Sequence, residues 1–544
     1  MLAEMTPPRS DSRKLAALYA ALSLIVLAPV LTVPFPCLGD TLNHLARIHI
    51  LATIGHAPWL QSLYDPHAKL VPYLGMDAPV AALAAFMPIY QAGRIFAAIC
   101  ILAPVLAAAA LRRAAAGRVG AAPCLAFLLC YNYQLQRGFL TYLFGMLLAL
   151  LLFAAWVATA PRPGWRPDWH RDWHRDWHRD WHRDWRRAAL FSLPLLLVFL
   201  AHSFAAAAYC LLVAGHELGL AWRARLQPWR AILLRWAAAA AQILPALALA
   251  AWLATRGHEV TRSHFRVASA ADQLGALLSP VYFAGNPATL PVIAFAIALA
   301  LVYGRKLRLA PSLWPAAGLV ALVACVTPSV LFDVTWGVNL RLPLVAAIVL
   351  IASLGLAQPI GLWPRRAILA CITALALTTS FSARAMLAAL NQQVTTMRIL
   401  VSVLPRGARL LVLDMPTACA TNRVAPRDMT GHLSFVAAID RDAFIPFLFT
   451  GTTPLQVLPA LRNSASPISE AISEAQLADG LVHTDPSGGP PEYGWGGHKY
   501  WLGWPTKFDF LLVQHFGCPG FQPPAVVALM AQSPIADLYR ITRQ

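Results

Sequence analysis

The chain has 544 residues, of which 58% are hydrophobic and 12% charged, with a mean hydropathy of +0.57. That composition excludes an ordinary water-soluble globular protein and points to a polytopic α-helical membrane protein, because each crossing takes about 20 apolar residues. The formal net charge of +18 is read as a topology signal and not as nucleic-acid binding, since no water-soluble basic stripe with interleaved aromatics is present.

Arg9, Arg13 and Lys14 precede the apolar run "LAALYAALSLIVLAPVLTVPF" that begins at Leu15. The run is too long for the core of a signal peptide and lacks a small-x-small cleavage site, so it is expected to stay as the first span with a cytoplasmic N-terminus. Apolar segments near 95–111, 121–135, 139–159, 188–201, 204–221, 236–254, 288–303, 311–331, 342–362 and 367–383 bring the expectation to about eleven transmembrane helices over residues 1–383. "APVAALAAFMP" (78–88) reads as a half-span or re-entrant helix. An odd number of spans puts the C-terminus outside, and Lys and Arg cluster in the loops that this threading puts inside, such as "LRRAAAGR", "WRARLQPWR", "GRKLR" and "PRR".

The first external loop, 35–77, concentrates Asp40, His44, Arg47, Asp65, His67, Lys69 and Asp77. If "DTLNHLARIHILATIG" is a helix at the membrane face, Asp40, Asn43, His44 and Arg47 share an arc of about 100° while Leu42, Leu45 and Ile48 turn elsewhere. Two readings stay open for this stripe: a functional site, or Asp40 as a helix N-cap with Arg47 as a headgroup anchor.

The cytoplasmic loop 160–187 carries the repeat "DWHRDWHRDWHRDWHRDWRR". His170, His174, His178 and His182 have the i, i+4 spacing of helical metal ligands, but a four-residue period drifts about 40° per repeat, so no closed ligand cage forms. A solvated helix with Asp–Arg pairs is the favoured reading of the repeat.

From Arg384 the character changes, and 384–544 is expected to form an external α/β domain. Strand-like runs at 409–414, 508–514 and 536–543 alternate with a helix-like "PAVVALMAQ". Of nine cysteines, Cys100, Cys124, Cys130, Cys210, Cys325 and Cys371 fall in apolar segments, whereas Cys419 and Cys518 lie in the external domain and are candidates for a disulfide. The chain contains no C-x-x-C, Cys/His finger, dinucleotide, phosphate-loop or Gly-x-Ser-x-Gly signature. Hence no structural metal site is expected.

Four further stretches lie at external span ends: "YNYQLQRGFLTY", "AHSF", "RGHEVTRSHFR" and "TWGVNLRLP". They bring Arg137, His202, His258, Arg262, His264, Arg266 and Arg341 to the same side as Asp40. A cationic basin beside a carboxylate at headgroup depth suits a lipid phosphate or pyrophosphate, for which Arg offers a planar multidentate donor set.

With those residues in place, the layout resembles the GT-C class of polyprenyl-phosphate-sugar-dependent membrane glycosyltransferases. "GDTLNHLAR", "YNYQLQRGFLTYLFG", "HLSFVAAIDRDAFIPFLFT" and "FDFLLV" are similar to bacterial membrane proteins of that class. The resemblance implies sugar transfer from a polyprenyl-phosphate donor to an envelope glycan, lipid or protein acceptor at the outer face of the bacterial inner membrane. Asp40 falls where the class has its proposed base, with His44 beside it and Arg47, Arg137, His202, Arg266 and Arg341 as phosphate-binding candidates. Many members carry a second acid near this point. Here His44 follows instead, which leaves Asp65 and Asp77 as candidates for the second acidic role. A divalent cation bridging Asp40 and the phosphate is compatible with this layout. Two other functions fit the composition: a transporter or flippase of lipid-linked glycans, and a non-enzymatic envelope assembly subunit.

Overall fold

The computed structural model describes residues 9–35, 37–66, 71–160, 173–223, 229–255, 265–331, 335–358, 360–450, 453–466, 470–484 and 499–542. Among the described residues six helices are long and apolar enough to cross a bilayer: Arg13–Leu31, Ile89–Ala116, Leu140–Thr159, Ser203–Arg223, Thr289–Lys306 and Leu362–Val401. A seventh arises if Ile232–Ala241 and Leu244–Leu253, bent by 45°, count as one span. The fold is thus polytopic, with fewer full-length spans than the eleven expected.

The shortfall has a physical cause. Trp314–Val326 and Arg341–Ser353 are apolar but have 13 residues each, about 20 Å of helix against roughly 30 Å of hydrocarbon. The segment 121–135 is a 3₁₀ stretch, Ala122–Leu129, followed by the single turn Tyr133–Gln136. The apolar segment 188–201 is the end of a longer helix, Trp173–Ala201, that begins inside the charged repeat. His174, His178 and His182 fall on that helix, and His170 lies outside the described residues. In place of a half-span, Asp77–Ala84 is an eight-residue helix leading through Pro88 into Ile89–Ala116.

Leu362–Val401 is one unbroken helix of 40 residues. It runs through Arg384, so the change of composition there falls inside a continuous element that delivers the chain to the C-terminal unit. That unit is built on a four-stranded sheet in the order Val527–Gln532, Ala536–Ile541, Phe510–Gln514, Leu410–Asp414. The last two strands are parallel, pairing Leu410 with Phe510 and Asp414 with Gln514, and the other neighbours are antiparallel. Both parallel strands are buried along their whole length, which their unbroken apolar sequences require.

"PAVVALMAQ" is a strand and not the expected helix. Val527–Gln532 pairs with Ala536–Ile541 as an edge strand with Leu529 and Met530 exposed. A short apolar run carries no decisive periodicity, and here Val526 and Val527 followed by the Ser533–Pro534 turn favour a hairpin. Cys419 and Cys518 are bonded across a separation of 99 residues, with Cα atoms 4.8 Å apart.

Candidate active site

Asp40 is set in place by two glycines. Gly39 has φ +29°, and a Cβ on it would lie 2.1 Å from the Arg137 carbonyl oxygen. Gly138 has φ +75°, and its Cβ would lie 2.4 Å from the Asp40 nitrogen. Two turns that only glycine allows therefore interlock, and the Asp40 N–H donates to the Arg137 carbonyl at 3.0 Å. The Thr41–Thr53 helix starts immediately afterwards. Asp40 occupies its N-cap position, yet its side chain makes no capping hydrogen bond, so the carboxylate is left for other partners.

Those partners come from three parts of the chain, around Arg137, Arg341 and His432. His432 Nδ1 stands 3.3 Å from Asp40 Oδ1, with both side chains mostly buried. Arg137 stacks 4.4 Å above the Trp336 ring and pairs with Asp428 at 3.5 Å. Gln136 Nε2 donates to the same Asp428 carboxylate at 2.9 Å. Arg341 donates to the Trp336 carbonyl at 3.1 Å and lies over Phe139 and Phe204, at 5.1 and 4.7 Å. Trp336 thereby holds both guanidinium groups, one by its ring and one by its backbone. The Nε–H groups of Arg137 and Arg341 are buried without a hydrogen-bond partner, and such donors are costly unless a ligand or water meets them.

Burial raises the Asp40 carboxyl from 3.8 to about 6; Arg137 and Arg341 pull it down, and Asp428 and Glu470 push it up. Burial lowers the His432 imidazole to about 4. His44 is held well below its ordinary value, first by burial and then by Arg47, His432 and His202. Both imidazoles are therefore neutral near pH 7. Arg47 Nη2 stands 3.1 Å from His44 Nδ1. Since a guanidinium only donates, Nδ1 is the acceptor and the proton resides on Nε2.

The other sequence-derived candidates divide. His202 lies at the break between two helices, edge-on to Tyr73 and Tyr142 at 4.7 and 5.3 Å. Its close approach depends on Gly145, where a Cβ would come within 2.8 Å of the His202 Cβ. Arg47 is buried and bonded to Asp77 at 2.6 Å, so it is no headgroup anchor, and Asp77 already has a cation. Asp65 lies on the strand Tyr64–Pro66, opposite Gln456. Arg266 is exposed and shares a cross-strand row with Val330 and Trp336, about 10 Å from the Trp336 backbone by strand spacing. His67, Lys69, His258, Arg262 and His264 lie outside the described residues.

The Thr41–Thr53 helix does not lie open at a surface. Asn43 Nδ2 donates to the Phe447 carbonyl at 3.2 Å, and the Phe449 N–H donates to Asn43 Oδ1 at 2.9 Å. The C-terminal unit covers it. Asp428, His432 and Glu470 are site residues that the sequence reading did not single out, although His432 opens one of the stretches that carried the resemblance. Among the described residues no group of three or more His, Cys, Asp or Glu is arranged to hold a metal ion.

The assembly offers a carboxylate that exchanges its proton near neutrality, two neutral imidazoles and two guanidinium groups with donors to spare. No family description and no curated protein matches the chain. Among solved structures it is similar in fold to ArnT from Cupriavidus metallidurans, solved bound to undecaprenyl phosphate, at 11% identity and a TM-score of 0.50. The likeness covers 96% of this chain and 97% of that one, so the fold is matched across both the membrane part and the C-terminal unit.

Proposed function

We propose that this chain is an integral-membrane glycosyltransferase that moves a sugar from a polyprenyl-phosphate donor to an acceptor hydroxyl. The observation that carries the reading is the uncapped Asp40 carboxylate, raised to about 6 and set beside guanidinium groups with unmet donors. A general base works best when its own value lies near the working pH. Asp40 takes the acceptor proton, the acceptor oxygen bonds to the anomeric carbon, and the bond from that carbon to the phosphate oxygen breaks. Arg137 and Arg341 meet the charge that develops on the departing polyprenyl phosphate. His44, fixed as its Nε2–H tautomer, positions the acceptor, and the Arg47–Asp77 pair holds the helix that carries both residues.

The positive-inside bias supports a site at the external face of a bacterial inner membrane with the 384–544 unit outside, and an envelope glycan, lipid or protein is the acceptor class of this proposal. The bent helix pair favours a transporter, since broken helices line transport sites. Yet Gln242 at the break already accepts from Tyr209 and donates to the Ala239 carbonyl, both at 2.7 Å.

Native mass spectrometry with undecaprenyl phosphate, paired with transfer assays over a panel of polyprenyl-phosphate sugars, tests the reading. Asp40→Asn should retain the lipid and lose transfer, whereas Arg341→Ala should lose the lipid. Transfer at the wild-type rate by Asp40→Asn would sink the proposal.

A further inference from the structure

We propose that His432 is a positioning residue for Asp40, so that the C-terminal unit supplies half of a two-part base and is not merely a cover over the membrane helices. The proposal rests on the base reading for its catalytic meaning, but its geometry stands apart from that reading. The two residues are 392 positions apart in sequence, yet His432 Nδ1 and Asp40 Oδ1 are 3.3 Å apart.

The imidazole is held where it is. Its ring lies edge-on to Phe435 and Phe449, at 5.4 and 5.6 Å, and tilted over Phe447 at 6.4 Å. Phe449 also contacts the His44 ring at 5.3 Å. Both histidines next to the base are thus clamped by one aromatic side chain from the C-terminal unit. The ring faces the Gly39–Asp40 corner, where a hydrogen bond to the Gly39 backbone accompanies the 3.3 Å approach to Asp40, and the charges of Glu470 and Arg137 also act on it. A neutral imidazole with its proton on Nδ1 would donate to the carboxylate, stabilise its charged form and fix the oxygen that faces the acceptor.

Other groups act on the same carboxylate: Arg137 from the glycine turn, Arg341 from the Arg341–Ser353 helix, and Asp428 and Glu470 from the C-terminal unit. The ion pairs of Arg137 and of Glu470 also run to Asp428 and Arg427. Substitution at His432 therefore removes one donor and leaves those charges in place.

The test reads Asp40 directly and needs no substrate. In infrared pH titration of the purified full-length protein, the protonated carboxyl band missing from Asp40→Asn is followed as pH rises. The wild-type band should vanish with a midpoint near 6. His432→Phe keeps the ring packing but removes the donor, and should move that midpoint up by about one pH unit, the worth of a modest hydrogen bond to a charged group. His432→Asn, whose amide nitrogen matches Nδ1, should bring the midpoint back to within a few tenths of wild type. If His432→Phe does not fold, His432→Gln, whose amide matches Nε2, serves in its place and should also raise the midpoint. An unchanged midpoint in the Phe or Gln variant, or equal shifts in all three, would overturn the assignment. Failure of the base reading shows separately, as sugar transfer by Asp40→Asn.

Discussion

Replacing Asp40 by asparagine should make the protein more stable and inactive at once. Burial lifts the carboxyl from 3.8 to about 6, and at 1.36 kcal/mol per tenfold change this is a cost of about 3 kcal/mol for holding the charge in the folded state. The sign follows from proton counting. Between those two values the native protein keeps a proton that the unfolded chain has released, so native stability is full below pH 4 and falls as pH rises through 6. Above pH 6 the wild type bears the whole penalty, and Asp40→Asn, with no charge to bury, bears none. The variant should therefore melt higher at pH 7.5 in detergent, followed by tryptophan fluorescence, with the gain shrinking towards zero at pH 4. In the same preparations the wild-type rate should fall on the acid side with a midpoint near 6, and the variant should lose about 10²- to 10⁴-fold in rate. A gain in melting temperature that is the same at both pH values, or a loss at pH 7.5, would refute the argument that the site holds a carboxylate against its solvation preference.

Gly138→Ala should displace the base, since its Cβ would lie 2.4 Å from the Asp40 nitrogen and 2.5 Å from the Leu38 oxygen; transfer should drop at least about tenfold. Gly117→Ala is the control, with a similar φ of +74° and nothing within 4 Å, and it should cost only about 1 kcal/mol of stability. Serine at both Cys419 and Cys518 should lower the melting temperature by up to the equivalent of about 4.7 kcal/mol for this loop length, and reductant should bring wild type to the same point. A reporter fused after Gln544 should be active only when it is one that works outside the cytoplasm. Deleting two Asp-Trp-His-Arg units should leave expression and transfer near wild type, and lost transfer at normal expression would give the repeat a functional role.

Much of the membrane part can be read from composition because hydropathy is a local property, and the apolar segments are helical over at least part of their length. What hydropathy does not encode is continuity. Ala122–Leu129 and Arg341–Ser353 are as apolar as true spans but end early, and length decides a crossing. The stripe of Asp40, His44 and Arg47 was likewise legible, since side chains three and four apart share a helix face. Its internal division was not. Arg47, a phosphate candidate by sequence, is also the partner of Asp77, 30 residues on, a pairing that depends on how two helices pack. His432, Asp428 and Glu470 were beyond reach for the same reason: their positions depend on how the C-terminal unit lands on the Thr41–Thr53 helix.

That landing explains why the site has two halves. The membrane part contributes Arg137 and Arg341, whose charges act on Asp40, but not the imidazole that meets the carboxylate. The C-terminal unit supplies it through a short segment in which adjacent residues face opposite ways. Asp428 bonds toward the membrane part, to Gln136 and Arg137. Arg427 bonds toward the sheet, to Asp414 at 3.0 Å and Glu470 at 3.3 Å. Asp414 ends the buried strand that pairs in parallel with Phe510–Gln514, the most constrained part of the unit, and Arg423 holds it from the other side at 2.8 Å. The position of His432, four residues beyond Asp428, is thus referred to the sheet and to the glycine turn together. A base assembled this way is complete only when both parts of the chain are folded and docked, which ties its proton affinity to the integrity of the interface and not to the loop sequence alone.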